Sequence, residues 1–180
     1  MLRITVPGTE FWDAKKQEFI TTTDQQLQLE HSLVSVSKWE SKWCKPFLSS
    51  TNKTDEEVLD YIRCMTITQN VKPETYNSLT RDNMREIDAY INAPMTATTF
   101  SDRETRKFNR EIITSEIIYY WMVALQIPHQ YEKWHLNRLM ALIKVCNIKN
   151  QPPKRMSRRE TMSRNAALNA SRRKQLNTKG

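Results

Sequence analysis

The spacing of apolar residues changes at His31, and that change constrains the fold more than any other feature of the chain. Before it the period is two. "LRITV" alternates apolar and polar, "EFWD" and "EFITTT" flank the polar turn "AKKQ", and "QLQLEH" puts Leu27 and Leu29 on one face. Successive side chains of a strand point to opposite faces, so residues 1–30 are expected to form a small antiparallel sheet or hairpin.

After His31 the period is helical. "HSLVSVSKWESKWCKPFL" places Leu33, Val36, Trp39 or Glu40 and Trp43 on one stripe that ends near Pro46, although the alternation in "SLVSVS" also suits a strand. "TDEEVLDYIRCM" starts with Thr54 and has Glu57 three residues on, a capping box, and Val58, Tyr61, Ile62 and Met65 then share a face. Met84, Ile87, Tyr90 and Ile91 repeat the spacing in "LTRDNMREIDAYIN". The segment "APMTATTFSDRETRKFN" reads as a long loop. Beyond it, "REIITSEIIYYWMVALQI" sets Ile113, Ile117, Trp121 and Ala124 on one stripe, widened by Ile118 and Leu125, up to Pro128. "HQYEKWHLNRLMALIKVCN" turns Leu136, Leu139, Met140, Ile143 and Cys146 inward. The short break at Pro128 predicts that these last two helices form an antiparallel αα-hairpin at the centre of the core. The expected fold is mainly α (α+β), with a bundle of about five helices over residues 31–150 behind the N-terminal sheet.

Charge divides the chain further. The net charge is +8, and residues 154–180 hold nine basic side chains against the single acid Glu160, so residues 1–153 are neutral as a group. The paired prolines of "NQPPK" mark the joint, because they cannot continue a helix. The expected organisation is a globular body, 1–153, and a basic arm, 154–180, that is flexible, marginally helical, or helical on a partner.

Composition and motifs exclude several classes of function. Cys44, Cys64 and Cys146 are an odd number without C-x-x-C spacing, which points to reduced thiols in a cytosolic compartment. The N-terminus has no charged region followed by a long apolar stretch, so no signal peptide is expected. The most apolar run, "IIYYWMVALQI", is too short for a membrane span. With 2 glycines in the chain a phosphate-cradling loop has little to be built from, and no nucleophile elbow, Walker loop, dinucleotide fingerprint or H-E-x-x-H occurs. Glu132 and His135 form half of the Glu-x-x-His pattern of di-iron bundles, but neither His31 nor His129 supplies a second copy. Glu116, Glu132 and His135 make at most a three-ligand set. The expectation is a protein without catalytic residues, metal or cofactor.

Two features remain as candidate binding elements. In "SVSKWESKWCKPF" the aromatic residues Trp39, Trp43 and Phe47 recur every four residues between Lys38, Lys42 and Lys45, a pattern that can stack bases or line a protein groove, although an aromatic stripe at helical spacing is more often core. In the arm, Arg155, Arg158, Arg159, Arg172, Arg173 and Lys174 suit phosphates, or an ordinary solvated terminus.

Taken in order, "LEHSLVSVSKWESKWCKPFL", "YIRCMT", "YINAPMTATTF", "EIITSEIIYYWMVALQIP" and "WHLNRLMALIKVCNIKNQPPKRMSRRE" resemble the tail assembly chaperones of long-tailed bacteriophages, over roughly residues 1–175. The resemblance implies a non-catalytic protein of the infected host's cytoplasm. It would coat the long helical tape measure protein until tail tube subunits replace it. It also implies self-association, or pairing with a longer form of the same chain made by ribosomal frameshifting; "PPK" at 152–154 is a peptide that a slippery run of C and A could encode. The 8 methionines suit a surface that adapts to many similar apolar segments. A nucleic-acid-binding phage protein acting through the basic arm is the alternative.

Overall fold

The change of period at His31 is the boundary between sheet and helix in the computed structural model, which describes residues 1–13, 17–21, 23–100, 112–150 and 157–178. The turn residues 14–16, most of the long loop after Phe100, the Pro152-Pro153 joint and Arg155 lie outside the described residues. Four strands come first: β1 (Leu2–Val6), β2 (Glu10–Asp13), β3 (Glu18–Thr21) and β4 (Gln25–Leu29). β1 pairs antiparallel with β4 in the register Leu2↔Leu29, Ile4↔Leu27, and β2 pairs with β3 as a hairpin between them. Ile4, Val6, Leu27 and Leu29 are buried on one face. The free edge of β4 is covered by the chain that leaves the second helix. Ile67 N–H donates to Gln28 O at 2.8 Å, and Gln28 N–H donates to Thr68 Oγ1 at 2.8 Å. An edge closed in this way is protected from pairing with another chain.

The helices of this part are α1 (Leu33–Trp43), α2 (Asp55–Met65), α3 (Arg81–Asn92), α4 (Ser115–Ala124) and α5 (Leu136–Asn150), with 3-10 turns at Pro73–Ser78 and His129–Lys133. Three helices start with reciprocal capping boxes, Ser32 with Ser35, Thr54 with Glu57 and Thr80 with Asn83. Each box satisfies two backbone donors that a helix start would otherwise leave open. The box of Ser32 decides the ambiguous "SLVSVS" in favour of helix. Asn83 also donates from its amide to Thr5 O at 3.2 Å, which ties α3 to β1.

The centre of the core is α1, not the α4–α5 pair that the short Pro128 break led us to expect. α1 packs on α2, on α4 and on the turn at His129–Lys133, and buries Leu33, Val36 and Trp39 completely. α4 is also shorter than the stretch "REIITSEIIYYWMVALQI" expected to form it, starting at Ser115, and its inward residues are Ser115, Ile118 and Met122. Ile117 and Trp121 are only half-buried, and Ala124 is exposed, so the stripe drawn through them is displaced. The reason is that nearly every residue from Ile117 to Leu125 is apolar, which leaves the period without contrast. The helix expected across "HQYEKWHLN" is interrupted too: a 3-10 turn ends at Lys133, His135 pairs with Ser32 as an isolated bridge, and α5 begins at Leu136. Leu136, Leu139 and Ile143 are buried there, while Met140 and Cys146 are half-buried.

Met1–Cys146 form one compact unit and Asn147–Gly180 a second. The second contains α6 (Arg158–Leu176), nineteen residues long and exposed along its whole length. Ser157 caps it through a box with Glu160, and Asn177 closes it in the left-handed conformation at φ 50°.

Candidate binding surfaces

The aromatic residues of "SVSKWESKWCKPF" turn towards α2, while Lys38, Lys42 and Lys45 remain exposed. Trp39 is fully buried and its Nε1–H donates to Glu57 O at 2.9 Å. Trp43 is half-buried and donates to Asp60 Oδ2 at 2.8 Å. Phe47 is buried against Tyr61, with ring centroids 4.0 Å apart, and meets Trp39 edge-on at 5.2 Å. Lys42 pairs with Asp60 at 2.5 Å, Lys45 pairs with Glu57, and the Lys53 ammonium lies 4.4 Å from the centre of the Phe47 ring. Of the two readings of this stripe the structure therefore gives core. Trp39 and Phe47 are covered, Trp43 is half-buried, and Lys42 and Lys45 are engaged by carboxylates of the same chain. Those carboxylates respond accordingly. Lys45 and then the Thr54 backbone N–H hold Glu57 below the usual carboxylate range. Burial pushes Asp60 up, but hydrogen bonds from Lys42 and Trp43 and the charges of Lys42 and Arg63 together outweigh it, so its acidity is also increased.

Glu132 and His135 face different partners. Glu132 accepts the Tyr119 hydroxyl at 2.9 Å and pairs with His129 at 3.2 Å. His135 Nε2 is 3.0 Å from Tyr90 O, and its Nδ1 accepts the Asn137 N–H at 3.3 Å, which makes it a neutral ring with both nitrogens used. The break between the 3-10 turn and α5 separates two residues that a continuous helix would stack. Glu116 lies exposed at the start of α4, where the Thr114 side chain and its own backbone N–H hold it below the usual range. Among the described residues no three His, Cys, Asp or Glu side chains converge as a metal site.

His135 belongs instead to a buried polar cluster. The ring of His31 lies edge-on to it with centroids 5.0 Å apart, and His31 Nδ1 is 2.5 Å from the Tyr61 hydroxyl. Burial, and then the neighbouring His135, push the His31 pKa down to about 4. Tyr90 donates to Glu30 at 2.7 Å, and Glu30 pairs with the Met1 ammonium at 3.0 Å. The cluster links the segments around β4, α1, α2, α3 and α5, and Glu30 and His135 border a pocket of about 250 Å³ together with Met1, Met95, Lys133, Trp134 and Arg138.

The body also exposes several apolar side chains. On α4, Tyr120 is 69% and Val123 77% exposed, and with Glu116 they follow i, i+4, i+7 spacing along one outer face. On the β2–β3 hairpin, Trp12 and Phe19 pair edge-on with centroids 5.0 Å apart and are both exposed. Neither surface is singled out by the sequence pattern. A signal for the first was present, because a ten-residue helix that is apolar on every side cannot bury all its faces against one core. The arm exposes Arg158, Arg159, Arg172, Arg173 and Lys174 on α6. No helix among the described residues is long and apolar enough to cross a membrane.

No protein family model, no curated protein and no solved structure matches this chain.

Proposed function

We propose that this protein acts by binding and not by catalysis, as a tail assembly chaperone that keeps a tape measure protein soluble in the host cytoplasm during bacteriophage tail assembly. The sequence resemblance supplies the family, and the observation that carries the mechanism is the outer face of α4. Tyr120 and Val123 stand in solvent, 69% and 77% exposed, on a helix whose opposite side buries Ile118 and Met122 in the core. Apolar side chains presented in a row along a helix suit the apolar stripe of a client helix, and burial of such surface is neither directional nor sequence-specific. Weak binding repeated along an elongated client would coat it while leaving each contact displaceable by tube subunits.

The test is co-expression with a long helical tape measure protein. The client is expected in the soluble fraction with the native chain, and mostly in the pellet with a Tyr120→Gln, Val123→Gln variant whose own thermal transition is unchanged. The purified complex should persist at about 0.5 M salt, where charge pairing at a surface is screened. A client that stays soluble with the double variant would remove α4 from the mechanism. A client that never becomes soluble with the native chain would remove the chaperone reading.

A further inference from the structure

The cavity of about 250 Å³ beside Glu30 and His135 has an excess of positive charge around it. Lys133, Arg138 and the Met1 ammonium border it, against the single carboxylate of Glu30. That carboxylate is already matched. It pairs with the Met1 ammonium at 3.0 Å and accepts the Tyr90 hydroxyl at 2.7 Å. His135 adds no charge, because Tyr90 O and the Asn137 N–H use its two ring nitrogens. Lys133 and Arg138 are what remains. Both are exposed, and no carboxylate among the described residues pairs with either. Glu132, the acid nearest in sequence, is turned to Tyr119 and His129.

Unpaired surface cations are ordinary, and alone they identify no ligand. Arg138 differs in how it is held. Its guanidinium carbon lies 4.1 Å from the centre of the Trp134 ring, and Tyr131 stacks on the same ring with centroids 4.1 Å apart and planes at 17°. Two groups so close to one ring centre occupy its opposite faces, so tyrosine, indole and guanidinium form a stack of three. A guanidinium laid flat on an aromatic face keeps its N–H donors in its own plane, where a pair of carboxylate or phosphate oxygens can meet them. Held in this way, it has less freedom to lose when such a group binds. Met95 lines the same cavity with its backbone in the left-handed region, φ 49°. That conformation is costly for a side chain of this size, and such residues cluster at ligand sites and switch regions. We infer that the cavity is a binding site for a small organic anion. Arg138 holds its carboxylate or phosphate group through paired N–H donors, and Lys133 adds a second charge from the rim. The volume selects a small ligand, since sites for drug-sized molecules span about 300–1,000 Å³. A cation would be repelled by Lys133 and Arg138, and a neutral ligand would leave them unmatched. This inference goes beyond the chaperone reading and does not rest on the α4 face.

The test uses the full chain at about pH 7 with three probes, sodium succinate, sodium citrate and inorganic phosphate, each against sodium chloride of equal ionic strength. At about 10 mM at least one probe should raise the melting temperature by about 3 °C or more, as a ligand at about ten times its Kd would. Calorimetric titration of that probe should give one site per chain. Whichever of carboxylate and phosphate binds more tightly names the group that Arg138 holds. Arg138→Gln should weaken binding about 10-fold or more, and Arg138→Lys should not restore it, because an ammonium cannot make the paired contact. Lys72→Gln removes an exposed charge elsewhere on the body and should leave the affinity within about 2-fold. All these positions are exposed, so the variants should melt like the native chain without ligand. Failure of all three probes to shift melting beyond chloride would overturn the proposal. So would an Arg138→Gln variant that binds like the native chain, or a Lys72→Gln variant that loses as much, because either describes general attraction to a basic protein without a site.

Discussion

The carboxylate of Glu40 accepts the backbone N–H of Ser115 at 2.7 Å through one oxygen and that of Phe47 at 2.7 Å through the other. Glu40 lies on α1 and Ser115 opens α4, so a buried side chain caps the start of a helix seventy-five residues away in sequence. The partial positive charge at a helix start makes it a natural place for a carboxylate. This bond fixes the start of α4 at Ser115, two residues before the apolar run that begins at Ile117. Hydrogen bonds to a charged acceptor contribute more than neutral ones, and a buried N–H left open is costly, so Glu40→Ala should destabilise the protein by about 2–4 kcal/mol. Glu40→Gln keeps one acceptor and should cost less. Urea unfolding of both variants checks the order; equal and small losses would show that water replaces the carboxylate.

Trp39 separates core from surface. Its ring is fully buried and its N–H is satisfied by Glu57 O, so Trp39→Ala removes both packing and a hydrogen bond and should cost about 3–5 kcal/mol. Trp12→Ser, on the exposed hairpin, should shift stability by less than about 0.5 kcal/mol. Chemical denaturation of the two variants side by side measures the difference. A Trp39 variant as stable as the native chain would reopen the reading of this stripe as a binding surface.

The parts of the fold that the sequence shows most clearly are those governed by neighbours a few residues apart. The strands before His31, the capping box of Thr54 and Glu57, and the faces of α2 and α3 all follow from local pattern. The parts that escape it depend on distant partners. The start of α4 is set by Glu40, the break before α5 by the pairing of His135 with Ser32, and the covered edge of β4 by Thr66–Thr68. The aromatic residues Trp39, Trp43 and Phe47 show the same limit from the other side: helical spacing reveals the stripe, but not that Glu57 and Asp60 of α2 engage the exposed Lys45 and Lys42 beside it. The exposed Tyr120 and Val123 are invisible to periodicity because their helix is apolar throughout.

The buried histidines make stability depend on acidity in a defined window. His31 titrates near its ordinary value of 6.5 in the unfolded chain and at about 4 in the fold, and burial lowers His135 as well. A group whose charged form is disfavoured by folding stabilises the protein above its unfolded value, and this contribution is lost as pH falls towards the folded value. Between pH 7 and pH 5 the shift of His31 alone should remove about 2 kcal/mol. Below that range protonation of Glu57 and Asp60 adds a further loss, because both are held more acidic in the fold than free. In His31→Gln the loss between pH 7 and pH 5 should be much smaller. Urea midpoints at the two pH values test this, and a native chain with the same midpoint at both would show that His31 is hydrated or charged in the fold.

Removal of the arm should leave the body intact. The compact unit ends at Cys146, α5 buries its last core residue at Ile143, and every residue of α6 is exposed. A chain ending at Asn150 keeps α5 whole and discards an excess of positive charge that contributes self-repulsion. It should melt cooperatively within a few degrees of the full chain, with a mean residue helicity that falls only by the share of α6. Differential scanning calorimetry and circular dichroism on the two chains measure both quantities. A broadened or lost transition in the shorter chain would mean that the arm stabilises the body, and the two units would then have to be treated as one folding unit.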